Sequence, residues 1–172
     1  MILDTNNPIT DKNTILGMVK EEPLYLKYAS EALQADKDVV LAAVTQPTVN
    51  SRLAWQYVSP TLKANENFMM QSVKTDGLTL HYASDDIKNN FDIVLEAVKE
   101  NSLAIQCASP ELRNNKELCL LAVNDYVNNY NFVSAELKND PELIAIAMAQ
   151  NPFLVEQNTS HRSPDSEPEL EM

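Results

Sequence analysis

Hydrophobic and polar positions along this chain recur with a period of about 25 residues. An Asp or Asn opens each unit, and an apolar residue follows it at the ninth position. Successive units start 25 residues apart, except that the second unit has four extra residues, within Thr45–Arg52. With the Asp or Asn numbered as position 1, the six units start at Asp11, Asp36, Asn65, Asn90, Asn115 and Asp140. Such a repeat predicts an array of similar folding units.

The first half of each unit has the pattern of an amphipathic helix. Positions 4, 5, 8 and 9 are mostly apolar, and at 100° per residue they share one face about 140° wide. In unit 4 these positions are Ile93, Val94, Ala97 and Val98. The Asp or Asn at position 1 fits an N-cap, whose side chain accepts a hydrogen bond from a backbone N–H of the first turn. The sequence therefore predicts a helix that begins just after position 1.

The second half of each unit is shorter and permits two interpretations. Positions 14, 16 and 18 are apolar and alternate with polar residues, which taken alone is typical of a strand. A helix packed between neighbours in a stack is also apolar on several sides, and position 13 often suits a helix start, as Pro23 does. We therefore predict a short helix here. The strand alternative predicts an α/β horseshoe that resembles leucine-rich repeats.

A serine at position 20 follows this second segment. In Ser59-Pro60 and Ser109-Pro110 a proline comes next, and a proline there breaks a continuing helix. The serine is therefore predicted to cap a separate single turn. That turn places the apolar residue at position 23, such as Leu62, in the core.

Together these elements predict an all-α fold, an α-solenoid of five to six helical-hairpin repeats of about 25 residues. The repeat domain spans residues 11–158 and follows a lead-in of residues 1–10. Pairs of short helices cannot bury their own apolar faces, so neighbouring units must stack into a continuous core. Residues 159–172 are rich in Glu, Pro and Ser and are predicted to form a disordered acidic tail.

Composition and charge exclude several functions. The formal charge of −12 opposes nucleic-acid binding. Two glycines cannot build a nucleotide-binding loop, and two cysteines with two histidines make a metal site improbable, so we predict no cofactor and no metal. No apolar stretch is long enough to span a membrane, and the first ten residues lack the features of a secretory signal.

Candidate catalytic residues are few. We call the residues that occupy the same position in successive units a column. Cys107 and Cys119 lie in apolar columns, at positions 18 and 5, where a small buried hydrophobe is the ordinary interpretation. A catalytic thiolate needs a nearby base, and His81, the one histidine within the repeats, lies in a column predicted to face solvent. We therefore expect no enzyme. A cysteine-dependent enzyme that uses Cys107 or Cys119 is the alternative.

Two recurring sequence blocks carry a family resemblance. One is Asp-Lys-Asp-Val-Val-Leu-Ala-Ala-Val at residues 36–44, and the other is Leu-x-Leu-x-Tyr-Ala-Ser, from which Cys107 and Phe132 depart. They resemble a bacterial repeat family, domain of unknown function 4116, over about residues 11–158. The resemblance implies no catalytic residues, and similar repeats appear in effectors that bacterial pathogens deliver into host cells. The acidic end at residues 167–172 resembles the signal of type IV secretion substrates.

We expect a non-catalytic scaffold that binds another protein through one surface of the stack, with a structural accessory module as a further alternative. The candidate contacts are aromatic or cationic residues that we expect to be exposed and that stand where the other units carry a different kind of residue. They are Tyr25, Arg52, Phe91 and Tyr126. The acidic charge favours a partner with a basic patch. The resemblance implies a narrower hypothesis: an effector, or a regulator that docks on another effector, made in the bacterial cytoplasm and translocated into the host cytoplasm.

Overall fold

The computed structural model describes residues 4–46 and 48–159. Over these residues the fold is all-α, as predicted, and contains no β-strand apart from an isolated bridge between Ile9 and Ala29. The strand alternative is therefore wrong for this part of the chain. The tail predicted over residues 159–172 lies outside the described residues, apart from Thr159, the last residue of a helix.

Each unit begins with a long α-helix and continues through one or two shorter helical segments. The long helices of units 1 to 6 are Lys12–Glu21, Lys37–Val44, Glu66–Thr75, Phe91–Glu100, Lys116–Asp125 and Pro141–Gln150. The 3₁₀ helices of units 1 to 5 are Pro23–Tyr28, Trp55–Tyr57, Gly77–Tyr82, Ser102–Cys107 and Val127–Phe132. The single turns that follow them are Glu31–Gln34, Pro60–Lys63, Asp85–Lys88, Leu112–Asn114 and Leu137–Asn139. Unit 2 has an extra helix, Val49–Ala54, and unit 6 ends in the helix Pro152–Thr159.

The caps form as the sequence predicts. All six residues at position 1 accept a hydrogen bond from a backbone N–H in the first turn of their helix, for example Asn90 from Ile93 at 3.2 Å. The position-20 serines of units 2 to 5 cap their single turns in the same way, for example Ser109 from Leu112 at 3.2 Å. Ser30 makes no such bond within the described residues.

The second segment is a 3₁₀ helix with three residues per turn. Its buried positions include every third residue, at 13, 16 and 19, as in Ser102, Ile105 and Ala108, and also position 15, as in Ala104. Positions 14 and 18 are only half-buried, as in Leu103 and Cys107. The alternation of large apolar residues therefore does not mark the core-facing positions, because three of these four core positions in unit 4 carry small residues.

A backbone hydrogen bond joins each of units 1 to 4 to the next unit at the same place. The N–H of the position-20 serine donates to the carbonyl of position 24 in the preceding unit, as Ser109 does to Lys88 at 2.9 Å. The same bond recurs at Ser59, Ser84 and Ser134. At the start of the stack, Ser30 donates instead to Ile9, so the lead-in replaces a preceding unit. These bonds fix the register of the stack.

The core runs between the layer of long helices and the layer of 3₁₀ helices. Its largest fully buried side chain is Trp55, whose ring stacks on Tyr82 at 5.2 Å and lies 5.9 Å from Phe68. Trp55 and Phe68 belong to adjacent units, so one aromatic cluster spans the junction. One cluster of buried residues extends from unit 1 to Leu118 and Ala122 of unit 5, and a second cluster, which includes Cys119 and Leu143, forms the core of units 5 and 6.

Candidate binding site

The clearest departure from the repeat is the insertion in unit 2. The long helix of this unit has 8 residues where the other five have 10, and Thr48 then caps the extra helix Val49–Ala54 by accepting from Ser51 at 3.2 Å. This helix replaces the first turn of the 3₁₀ helix found in the other units. The chain therefore leaves the regular path at the end of one long helix and rejoins it at Trp55.

A groove of about 680 Å³ lies beside the insertion, and we call it the first groove. Its lining combines the insertion with residues of units 3 and 4, including the carboxylates of Asp76 and Glu100. Trp55 and Thr79 also line it, and within the described part of the chain neither Trp55 Nε1 nor Thr79 Oγ1 has a hydrogen-bond partner. Unpartnered buried polar atoms are rare in native proteins. Among the described residues, the first groove is thus the part of the stack with the most buried side-chain atoms that lack a hydrogen-bond partner.

Two apolar side chains of the extra helix face solvent near this groove. Val49 is 75% exposed and Leu53 is 49% exposed, and their i, i+4 spacing puts them on one side of the helix. Val49 also lines the first groove. An exposed apolar pair next to carboxylates is suited to a partner segment that is both apolar and basic.

A second groove, of about 560 Å³, lies on the 3₁₀ layer between units 3 and 4. Its lining includes Tyr82 and Cys107, which are the position-18 residues of the two units. Most units carry an aromatic ring at this position, so the small Cys107 side chain leaves space. Arg52 and Asp76 line both grooves, and their ion pair, Nη2 to Oδ2 at 3.4 Å, stands between them.

The four predicted contact residues do not form one site. Arg52 lies at the grooves, and its side chain is 58% exposed. Tyr126 is 44% exposed, and its hydroxyl accepts a 2.6 Å hydrogen bond from Asn128. Phe91 starts the long helix of unit 4 and Tyr126 follows that of unit 5, so they lie at opposite ends of adjacent helices about 15 Å long.

Tyr25 and Phe91 are less exposed than we predicted from the residues that the other units carry at the same positions. Both are half-buried and pack against the core, and the Tyr25 ring lies 6.2 Å from that of Tyr28. Position 15, which Tyr25 occupies, is a buried column in units 2 to 5, as Ala104 illustrates. Phe91 stands in a mostly exposed column, but its ring turns toward the hydrophobic cluster.

Sequence reasoning missed Val49 and Leu53. The signal was present, because two apolar residues four positions apart lie in or next to an insertion that no other unit has. An insertion was recognised as a lengthened loop, whereas the structure forms a capped helix there. The helix is what puts both side chains on one exposed side.

The cysteines have little of the chemistry that a nucleophile needs. Burial raises the pKa of the Cys119 thiol to about 11 and also raises the pKa of Cys107. A raised pKa lowers the thiolate fraction at neutral pH. The second groove does bring Cys107 together with His81 and Asp76, and His81 is exposed as predicted.

Within residues 4–46 and 48–159, no group of three or more His, Cys, Asp or Glu side chains is arranged to hold a metal ion. None of the helices in this part of the chain has both the length and the apolar character to cross a bilayer.

Acidic residues gather along the edge of the stack where the long helices end. They occupy positions 11 and 12 of several units, and the first groove opens at this edge through Asp76 and Glu100. The residues of this acidic edge are Glu21, Glu22, Asp76, Glu100 and Asp125. Glu22 and Asp76 also cap the 3₁₀ helices that follow them.

The repeated helices, their shared caps and the inter-unit backbone bonds define an all-α helical-repeat protein. Matches to the model of one family, described as Domain of unknown function (DUF4116), cover residues 11–63, 49–88, 65–113 and 115–157. The chain belongs to this family, because the matches cover nearly all of the repeat domain. Searches of curated proteins and of solved structures found no match.

Proposed function

We propose that this chain is a non-catalytic scaffold that binds another protein at the first groove. The observation that carries the proposal is the exposed Val49, which lines the groove together with the carboxylates of Asp76 and Glu100, and the exposed Leu53 one turn further along the same helix. Helical-repeat proteins bind partners through extended surfaces of the stack, and insertions often lie on the binding face. The insertion, the apolar pair and the groove coincide here.

The charge distribution supports a partner with a basic patch. The net charge is −12, and the acidic edge continues from the first groove along the stack. A field of one sign speeds the approach of an oppositely charged protein. Within the groove, Asp76 already pairs with Arg52, so a cation of the partner would compete with Arg52 for this carboxylate.

The test is affinity capture from bacterial and host-cell lysates with the wild type and the variant Val49→Ser/Leu53→Ser. The control is Leu121→Ser/Met148→Ser, which removes two apolar side chains that are 37% and 50% exposed elsewhere. We expect the groove variant to lose a specific partner by about tenfold or more, as loss of an interface anchor does, while the control retains it. Equal recovery with all three chains would contradict the proposal, and equal thermal midpoints establish that the variants are folded.

A charge variant tests the basic partner separately. Asp76→Asn/Glu100→Gln keeps side chains of the same shape, and Asn101 caps its 3₁₀ helix as Asp76 does. We expect slower association with the captured partner, measured at low and high salt. An association rate that does not change, and does not depend on salt, would indicate a partner without a basic patch.

The narrower hypothesis is an effector delivered into a host cell, or a regulator that docks on another effector. Only the resemblance of the repeats and of residues 167–172 to such proteins supports it. A translocation reporter fused to the chain tests it: signal in host cells that depends on the secretion system is the expected result, and its absence would contradict delivery.

A cysteine-dependent enzyme is the second candidate, and the observation that favours it is the presence of Cys107, His81 and Asp76 around the second groove. The raised pKa of Cys107 opposes it. Replacing both cysteines with serine separates the two functions. Loss of a biological activity while folding and partner capture persist would favour the enzyme.

A further inference from the structure

A row of cations on the 3₁₀ layer has no role in the scaffold function proposed above. Position 24 carries a cation in units 2 to 5, and the equivalent residue of unit 1 is Gln34. The row consists of Lys63, Lys88, Arg113 and Lys138. Lys138 Nζ already donates to the carbonyl of Asn131 at 3.1 Å, which sets Lys138 apart from Lys63, Lys88 and Arg113.

These three cations are half-buried and have no carboxylate partner. Within residues 4–46 and 48–159, none of the six ion pairs includes Lys63, Lys88 or Arg113, although the chain has 25 acidic residues against 13 lysines and arginines. Arg113 Nε is buried without a hydrogen-bond partner. Burial also lowers the pKa of Lys63, as expected when no neighbouring anion compensates for lost water.

The backbone holds the row at a regular spacing. The carbonyls of Lys63, Lys88 and Arg113 accept the inter-unit hydrogen bonds from serine N–H groups, at 2.9, 2.9 and 3.0 Å. Each cation therefore lies at one junction of the stack. Packed helices are about 8–10 Å apart, so successive cations are spaced by about that distance.

Half-buried aromatic side chains accompany the row. Tyr57, Tyr82 and Phe132 occupy position 18 of units 2, 3 and 5, and all three pack against the core with part of the side chain exposed. At the second groove, Lys88 lines the same concavity as Tyr82. The surface thus offers both aromatic and cationic contacts at nearly every junction.

We infer that this surface binds an extended acidic segment of a partner protein in the polyproline II conformation, with one carboxylate for each cation of the row. A polyproline II helix has three residues per turn and rises about 3.1 Å per residue, so every third side chain points the same way at intervals of about 9 Å. This interval matches the distance of about 8–10 Å between packed helices, from which the spacing of the cations is expected. Aromatic-lined grooves are the usual docking sites of such segments. A β-strand would point every third side chain to the opposite face.

The probe is a fluorescein-labelled peptide of sequence Glu-Pro-Pro-Glu-Pro-Pro-Glu-Pro-Pro-Glu, measured by fluorescence anisotropy at low salt. A second peptide has the same composition with its four glutamates adjacent. We expect the spaced peptide to bind at least about fivefold more tightly, since of four adjacent glutamates only the first and fourth point the same way and reach two cations of the row, whereas the spaced peptide reaches all three. Equal affinities of the two peptides, or no binding of either, would overturn the inference.

The protein variant is Lys63→Gln/Lys88→Gln/Arg113→Gln in the full chain. Glutamine is the residue that unit 1 carries at this position, where Gln34 Nε2 donates to the carbonyl of Ala29 at 3.1 Å, so the fold accepts it. The control is Lys20→Gln/Lys37→Gln/Lys74→Gln, which removes the same charge from three exposed residues elsewhere. We expect a loss of about 30-fold in affinity for the row variant and less than about threefold for the control.

Equal losses in the two triple variants would overturn the inference, because they would show attraction by net charge alone. The groove variant Val49→Ser/Leu53→Ser should bind the peptide like the wild type. The inference is therefore independent of the proposed function, and either can fail without the other.

Discussion

Units 2 and 4 show how much one repeat can change while its junctions stay the same. Unit 4 has the regular length of the repeat, with the long helix Phe91–Glu100 and the 3₁₀ helix Ser102–Cys107. Unit 2 shortens its long helix and inserts the helix Val49–Ala54. Yet Ser59 donates to the preceding unit at 3.1 Å, much as Ser109 does at 2.9 Å. The junction bonds therefore determine the stack, and an insertion at one edge leaves them intact.

The same comparison shows where specific sites arise. The insertion in unit 2 builds the first groove, where Trp55 and Thr79 carry two of the four buried side-chain atoms that lack a hydrogen-bond partner in the described structure. A smaller departure, Cys107 in place of a ring, accompanies the second groove. The repeat thus encodes the fold, and departures from the repeat create the places that differ from their neighbours.

The largest expected effect is in the core of unit 2. Trp55→Ala should lower the free energy of unfolding by about 4 kcal/mol, since a large buried side chain leaves a cavity. Trp55→Phe should cost much less, about 1–2 kcal/mol, because the ring packing largely remains and the lost Nε1–H had no partner in the described structure. Urea denaturation measures both. Similar losses for the two variants would indicate that the indole N–H has a partner in solution.

A close approach between units 3 and 4 gives the next largest effect. A Cβ at Gly77 would collide with the carbonyl oxygen of Ala97 and lie 2.9 Å from Glu100 Oε2. Gly77→Ala should therefore cost about 2–3 kcal/mol through overpacking. In the matched variant Gly17→Ala, the new Cβ meets nothing within 4 Å among the described residues and should stabilise the helix by about 0.5–1 kcal/mol. A Gly77→Ala chain as stable as the wild type would contradict this close packing.

Loss of an N-cap should have a moderate effect in any unit. Asn65 accepts a hydrogen bond from the Phe68 N–H at 2.9 Å, so Asn65→Ala should cost about 1 kcal/mol. Asn67 is an exposed residue of the same helix, and Asn67→Ala should be neutral or slightly stabilising. Thermal unfolding compares the pair. If the two variants melted together, the cap would contribute nothing to stability.

The smallest effect concerns an ion pair between units 5 and 6. Lys116 lies 2.9 Å from Asp140 and, through its hydrogen bond, lowers the pKa of that carboxyl from its ordinary 3.8. A lowered folded-state pKa contributes stability above pH 3.8 that is lost as the pH falls through the folded-state value. The melting temperature of Lys116→Gln should therefore lie slightly below that of the wild type at pH 7.

The difference should be smaller at pH 3 than at pH 7, because protonation of the unfolded-state carboxyl near pH 3.8 removes part of the stabilisation. The exposed Lys37 has no ion-pair partner in the described structure, and Lys37→Gln is the control. A difference that is the same at both pH values would assign the effect of Lys116 to something other than Asp140.

The sequence was sufficient for the architecture because local signals repeat. The caps at position 1, the face that includes Ile93 and Val94, and the break at Pro110 each have a local physical cause, and all are found in the structure. The 3₁₀ helix was harder to predict. Its core positions in unit 4 are Ser102, Ala104, Ile105 and Ala108, so three of the four carry small residues and burial does not follow the alternation of the large apolar residues.

The binding surfaces depend on contacts between neighbouring units. The residue types found at each position of the repeat do not reveal these contacts. Phe91 looked exposed because its column is polar, but the neighbouring cluster accepts its ring. Val49 and Leu53 became an exposed pair only because the insertion folds as a helix. Position in the repeat predicts which layer a residue belongs to, whereas exposure at an irregular position depends on tertiary packing.

The central claim is that the departure of unit 2 from the repeat creates the partner site without being needed for the stack. A regularised chain tests it, in which a second copy of residues 99–104 replaces residues 45–54 and so removes the four extra residues. We predict that this chain keeps the helical circular dichroism and thermal midpoint of the wild type and loses the partner that Val49→Ser/Leu53→Ser loses. A regularised chain that captures this partner as well as the wild type, or that does not fold, would contradict the account.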